Sequence, residues 1–469
     1  MVFSSAIFLF VFLPLTFLLS RIVPGQRGKN AVLIAFSLVF YAFGNLTLVP
    51  LLLVSVLCNY ICGLLIARVR SPSGRRLVMA AAVGIGIGLL CVFKYADFAV
   101  GTVNALLGTA LPLPGITLPI GISFYTFQGL SYVIDVYRRP EEVSRSFGKV
   151  LLYISFFPQL VAGPIVKYRD VADQIDHRTC TPEMTAEGIV RFVTGLSKKL
   201  LLADTVGAAA SAVFAMSASE LDLRLAWLGA VCYFFQIYYD FSGYSDMAIG
   251  LGRMFGFTFR ENFLHPYAAG SMKEFWRRWH VSLSSWFRDY LYIPLGGNRK
   301  GRLRTALNKL IVFFCTGLWH GANWTFVLWG LWHGACLTLE DWLKEHRIRI
   351  PGPVSRVWTI LMVLLAFVLF NAESLSAAGV LYAAMFTGIH FTAETTASLV
   401  RLLSPSLIAA LVLCLLFAFP TAERLRTLGG QRLERVLPAL TAAGAVVLLL
   451  ADIMTLAAAS FSPFIYFQF

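Results

Sequence analysis

The chain has 469 residues, of which 58% are hydrophobic and only 14% charged, with a mean hydropathy of +0.72. Ordinary soluble domains are about 45–50% apolar and ~25% charged, so this composition excludes a water-soluble globular enzyme and indicates an all-α polytopic integral membrane protein. The net charge of +14 is concentrated in loops between hydrophobic runs, with no aromatic–basic nucleic-acid module. It reads as positive-inside topology plus an anionic cytosolic ligand, not as nucleic-acid binding.

In chain order, apolar runs lie near 3–20, 31–45, 48–67, 77–97, 119–136, 200–217, 225–250, 357–372, 404–420 and 437–458. The first basic residue, Arg21, follows the first run instead of preceding it. That run is therefore expected to stay in the membrane with its N-terminus outside. Loops rich in Lys and Arg mark the cytosol: 21–30, 68–76, 138–149, 167–199, 253–309, 344–356 and 423–435. Loops near 45–48, 101–118, 218–224 and 373–402 are poor in them and read as outside. Parity then places the C-terminal FIYFQF outside as well.

Two further runs, 150–166 and 310–339, fall between basic loops on the same side. Each should enter and return, or form a pair of short helices, and so line a cavity. The prediction is one membrane domain, 1–469, of about 10–13 spanning, re-entrant or short helices. It carries a cytosolic amphipathic basic insertion at 253–309 and an intramembrane segment at 310–339. No internal repeat is visible. The eight cysteines sit mostly in apolar runs without metal spacing, so neither a disulfide nor a metal is predicted.

Four polar clusters interrupt the apolar pattern. SFYTFQGLSYVIDVYRR at 123–139 holds Gln128 and Asp135. FFPQLVAGPIVKYRD at 156–170 has Pro158, Gly163 and Pro164, which fit a broken helix lining a cavity. QIYYDFSGYSDMAIG at 236–250 holds Asp240, Tyr244 and Asp246. The two aspartates are six residues apart and share a helix face poorly, so they suit charge pairing inside a bundle better than paired acid–base work. The fourth cluster, 271–309, mixes Trp276, Trp279, Trp286 and Phe287 with Lys273, Arg277, Arg278, Arg288, Arg299, Lys300, Arg302 and Arg304. Such a segment lies in the membrane interface. Its basic groups around Gly296 and Gly297 can bind phosphate or simply anionic lipid. His280 lies within it, as a catalytic candidate or an ordinary interfacial histidine.

The stretch 310–339 reads LIVFFCTGLWHGANWTFVLWGLWHGACLTL, with no acidic or basic residue except His320 and His333. As one straight helix it would run ~45 Å, too long for a ~30 Å hydrocarbon core. Gly317, Gly321, Gly330 and Gly334 offer places to bend or pack closely. His320 lies roughly 16 Å beyond Lys309 if helical, near the midplane. An ionisable residue there is a functional candidate by default. Asn323 and Trp324 are near enough to orient it or to donate to an oxyanion. His177, His265, His346 and His390 fall in loops or near span ends and are expected to be non-catalytic.

Together QIYYDFSGYSDMAIG, FWRRWHVSLSSWFRDYLYIPLGG and GLWHGANWTFVLWGLWHG resemble the membrane-bound O-acyltransferases, most closely the bacterial polysaccharide O-acetyltransferase branch. MVFSS and FIYFQF are similar to that branch too, so the resemblance spans nearly the whole chain. It implies tilted helices in a ring around a central tunnel, a catalytic histidine at His320, and a second recurrent histidine at His280. His333 is a further tunnel candidate, with Asn323, Trp324, Asp240, Tyr244, Asp246 and Gln128. The resemblance implies acetyl-CoA as donor; its phosphates need a basic mouth, which the segment 271–309 could supply through Arg277, Arg278, Trp279, Arg288, Arg299 and Lys300. A neutral imidazole would take the acceptor hydroxyl's proton; a covalent acyl-histidine is the alternative.

No soluble domain is present to hold a glycan. The expected acceptor is therefore a separate periplasmic or cell-surface acetyltransferase, SGNH-hydrolase-like by the resemblance, that modifies an alginate-like exopolysaccharide. The implied location is the bacterial inner membrane. The competing readings are a D-alanyl transferase of the teichoic-acid type, a proton-coupled transporter or lipid flippase, and a non-catalytic scaffold.

Overall fold

In lipid no water pairs with backbone N–H and C=O groups, so each hydrophobic run must close its hydrogen bonds within a helix. The computed structural model describes residues 1–458, Phe464 and Ile465, with the backbone alone for 422–426 and 428–435. Among the described residues every regular element is helical. Helix starts follow local chemistry. Pro72 opens Pro72–Leu90, and the Ser71 hydroxyl accepts from the Gly74 N–H. Pro405 opens Pro405–Phe417, and Ser404 accepts from Leu407 N. Proline lacks the donor that a first turn leaves unpaired, and serine satisfies one that remains.

Leu46–Arg68, Pro72–Leu107, Gly352–Asn371 and Val436–Ala458 are long and apolar enough to cross a membrane. Ala393–Leu402 and Pro405–Phe417 meet at 66° and together are apolar enough for one broken span. The protein is a multi-pass membrane protein.

Several stretches read as loops are helical. The outside loop 373–402 contains Leu375–Thr387 and Ala393–Leu402, and the basic loop 167–199 contains Tyr168–His177 and Pro182–Ser197. The basic loop 423–435 lies inside the single helix Thr421–Ala458. Polar residues there suppress the apolar signal without breaking the helix, because charged side chains are good helix formers at an interface. Of the C-terminal FIYFQF, only Phe464 and Ile465 fall among the described residues.

The chain packs as two compact units, Met1–Phe192 with Ser245–Glu261, and Val193–Tyr244 with Asn262–Phe469. In the first, helix Ile122–Arg138 is buried along nearly its whole length, with Val49–Arg68 and Pro72–Leu90 against it. The run 150–166 becomes the end of Phe147–Ser155, the short turn Phe157–Leu160 and an irregular stretch. Rings of Phe8, Phe12, Phe40 and Phe157 pack beside it.

In the second unit the run 310–339 is a helical hairpin, Arg302–His320 and Trp324–Glu345. The chain extends at Gly321, with φ −162° and ψ 154°. Asn323 then caps the return helix by accepting from Thr325 N. Gly317 and Gly330 let the two backbones touch: a Cβ at Gly317 would meet Phe326 backbone, and one at Gly330 would meet Phe313 backbone.

Candidate active site

The sequence places two histidines at chain positions where regular structure ends. His320 is the last residue of Arg302–His320. His280 precedes the short helix Val281–Phe287 in the left-handed region, φ 44° and ψ 53°. A residue other than glycine pays for that conformation, which persists only where its surroundings hold it. Both side chains are buried, and their ring centroids are 6.4 Å apart.

Aromatic rings enclose them. His320 contacts Trp319, Trp329 and Phe370 at 4.9, 5.0 and 5.2 Å between centroids. His280 meets Phe241 edge-on at 4.6 Å. Its Nδ1 lies 3.1 Å from Asn262 Oδ1. Burial lowers the His280 pKa to about 3, so the ring is neutral at physiological pH and has a lone pair to offer a proton.

His333 stands on the other side of Trp329, 4.9 Å from it, and meets Trp276 edge-on at 5.0 Å. Neither of its ring nitrogens has a hydrogen-bond partner among the described residues. Trp276 and Phe313, which also flanks His333 at 6.2 Å, belong to the wall of a cavity of about 390 Å³. Lys273, Arg277, Arg288 and Lys309 give that cavity four cations against one acid, Asp341, which pairs with Lys309. Phe287, Leu283 and Val312 line its apolar side. A basic rim over an apolar interior suits a ligand with anionic and apolar ends.

The remaining candidates divide. Arg277 and Arg288 line the cavity; Arg278 pairs with Glu274 at 2.7 Å, and Arg299 and Lys300 lie exposed in the turn after residue 293. Trp279 is buried against Phe263, Phe275 and Phe367. Asn323 spends its carbonyl on Thr325 N and its amide on the Glu373 carbonyl, while Trp324 is largely exposed. Asp240 is ion-paired with Lys199 at 2.7 Å, and Tyr244 packs on Phe464 at 5.1 Å. Gln128 and Asp246 belong to the other unit. There Asp246 pairs with Arg191 at 2.8 Å, and Gln128 is fully buried.

Sequence reasoning missed Asn262, Lys309 and Lys199. Asn262 is 18 residues from His280, in a stretch with no periodicity to betray a contact. By sequence Lys199 ends a basic cytosolic loop, yet it is buried between Asp204 and Asp240, each at 2.7 Å. Its acidic partners were the only available signal.

The membrane-bound O-acyltransferase family model matches residues 141–384, a range that contains both histidines. The chain is 41% identical to the "Probable alginate O-acetylase" of Azotobacter vinelandii, with 100% of both chains covered. It is 34% identical to the "Peptidoglycan O-acetyltransferase" of Helicobacter pylori, over 81% of this chain and 78% of that one. With the "Teichoic acid D-alanyltransferase" of Bacillus subtilis it shares 27% identity, over 53% of this chain and 65% of the other.

Proposed function

Because this chain belongs to the membrane-bound O-acyltransferase family and is therefore an O-acyltransferase, we propose that it carries an acetyl group from cytosolic acetyl-CoA to an exported acceptor protein. That partner, a periplasmic or cell-surface acetyltransferase of the SGNH-hydrolase type, then O-acetylates an alginate-like exopolysaccharide. The names of the Azotobacter and Helicobacter relatives support a polymer-directed acetyl transfer. The protein sits in the bacterial inner membrane with its basic loops in the cytosol and both termini outside.

The observation that carries this reading is the pair of buried histidines, His280 and His320, at 6.4 Å. With it goes the basic-rimmed cavity whose wall residues Trp276 and Phe313 touch His333. Arg277, Arg288, Lys273 and Lys309 attract the donor's phosphates. The apolar wall holds the thioester arm and excludes water, which would hydrolyse it. At the reacting centre a neutral imidazole, His320, accepts the hydroxyl proton as the oxygen attacks the thioester carbonyl. The new C–O bond forms, the C–S bond breaks, and the proton passes to the leaving thiolate. His280, held neutral beside it, assists that proton transfer.

The test is turnover of radiolabelled acetyl-CoA by purified protein in liposomes, wild type against His320→Ala. General-base help contributes roughly 10²–10⁴-fold, so the variant should lose that much turnover while still binding CoA. Equal turnover would overturn the assignment of His320. A requirement for a carrier-protein thioester in place of acetyl-CoA would select D-alanyl transfer of the kind named for the Bacillus relative.

A further inference from the structure

His280 is tied to a residue that no motif marks. Asn262 is fully buried, and its Oδ1 lies 3.1 Å from His280 Nδ1. The same Oδ1 accepts from the backbone N–H of Ser282 at 3.1 Å and from the Ser282 hydroxyl at 2.9 Å. A backbone N–H only donates, so the carboxamide atom facing it is the oxygen. An oxygen only accepts, so the ring nitrogen against it must carry the hydrogen. Two lone pairs facing each other at 3.1 Å would repel. His280 is thereby held as the Nδ1–H tautomer, and its Nε2 carries the basic lone pair.

The backbone reinforces this clamp. Val281 N donates to the Asn262 carbonyl at 3.0 Å, and Leu264 N donates to the Arg278 carbonyl at 2.9 Å. These bonds bracket His280 and hold it at φ 44°. Phe241 closes the ring's face edge-on. Tautomer and backbone position are thus set by contacts to the segment 262–264, and Phe241 limits the ring's rotation.

We propose that Asn262 is a positioning residue for the acyl transfer: by accepting from His280 Nδ1–H it keeps Nε2 unprotonated, as the proton acceptor beside His320. The inference rests on His280 and His320 being the reacting pair, as proposed above. The logic is that of a base oriented by a third group, which fixes the ring nitrogen that may take a proton.

The tautomer is read directly by ¹⁵N NMR of histidine-labelled full-length protein in lipid nanodiscs, with the His280 signals assigned by their loss in His280→Gln. Wild type should show a protonated Nδ1 and a bare Nε2. Asn262→Ala should lose that state and lower kcat about a hundredfold, the lower end of what general-base help contributes, with KM for acetyl-CoA unchanged. Asn262→Asp keeps an acceptor in place and should restore both the tautomer and most of kcat. A purely structural role would lower the yield of folded protein without splitting kcat from KM.

A protonated Nε2 in wild type overturns the proposal, and this holds even if Asn262→Ala does not fold. Wild-type kcat in Asn262→Ala overturns it too. Wild-type turnover in His280→Ala would instead sink the assignment of His280 on which it rests, and so separates the two failures.

Discussion

Replacing Gly330 by alanine would push apart the two helices that carry His320 and His333. A Cβ at this position falls against the Phe313 carbonyl oxygen, 3.0 Å from its carbon and 3.2 Å from Gly317 N. Carbon atoms rest at ~3.5–4.0 Å and the carbonyl oxygen lies closer still, so the helices must part locally by about 1 Å or more. All these obstructing atoms are backbone, so no rotamer change relieves them. Overpacking of this kind costs ~1–3 kcal/mol, and the absence of a yielding side chain places Gly330→Ala at the upper end. Gly317 is one turn before His320, so the displacement reaches the ring proposed as the base. A misplacement of about 1 Å can cost ~10²-fold in rate. Thermal melting in detergent and acetate release from labelled acetyl-CoA should therefore both fall. Gly444→Ala is the control: it too lies within a helix but its Cβ meets nothing within 4 Å, so the variant should melt at or slightly above wild type and turn over like it. A Gly330→Ala protein with wild-type melting and turnover would refute the claim that close backbone contact in this hairpin holds the site.

Lys199→Met should be far more disruptive than its position beside a loop suggests. It removes the cation at 2.7 Å from both Asp204 and Asp240 and leaves Asp240 buried with an uncompensated charge. Breaking such a pair costs ~3–5 kcal/mol. The double variant Lys199→Met/Asp240→Leu removes the fully buried orphan charge and leaves only the partly exposed Asp204 without its cation, so it should melt higher than the single one, and the reverse order would contradict the argument. His280 also makes stability depend on pH. Its folded pKa is lowered by burial from 6.5 to about 3, so between those values the unfolded chain binds a proton that the folded chain does not. Stability is full above about pH 6.5 and falls as pH drops through that window. His280→Gln should make this acid limb of the melting curve shallower by one group's share, and an unchanged limb would show that other groups cause it.

The class of molecule was legible in one dimension. Runs such as 48–67 and 357–372 became the helices Val49–Arg68 and Gly352–Asn371, because in lipid an apolar run has no alternative to internal hydrogen bonding. The turn inside 310–339 was legible for the same reason: the run is too long for one span, and Gly321 offers the break; the cap at Asn323 came only from the structure. Stretches such as 423–435 were not, because a charged helix and a charged loop share one composition.

The site itself divides in the same way. Trp-His-Gly within an uncharged run marked His320 as a costly ionisable group and hence a candidate, and the motif resemblance marked His280. What the residues by themselves determined was therefore which ionisable groups stand where water does not. Which groups face each other was decided only by tertiary structure. Asn262 reaches His280 across 18 residues, and Lys199 reaches Asp240 across 41. Trp329 sits between His320 and His333. Contacts of that kind come from how helices and turns pack, and no local periodicity encodes them. The tautomer of His280 follows from one of those contacts.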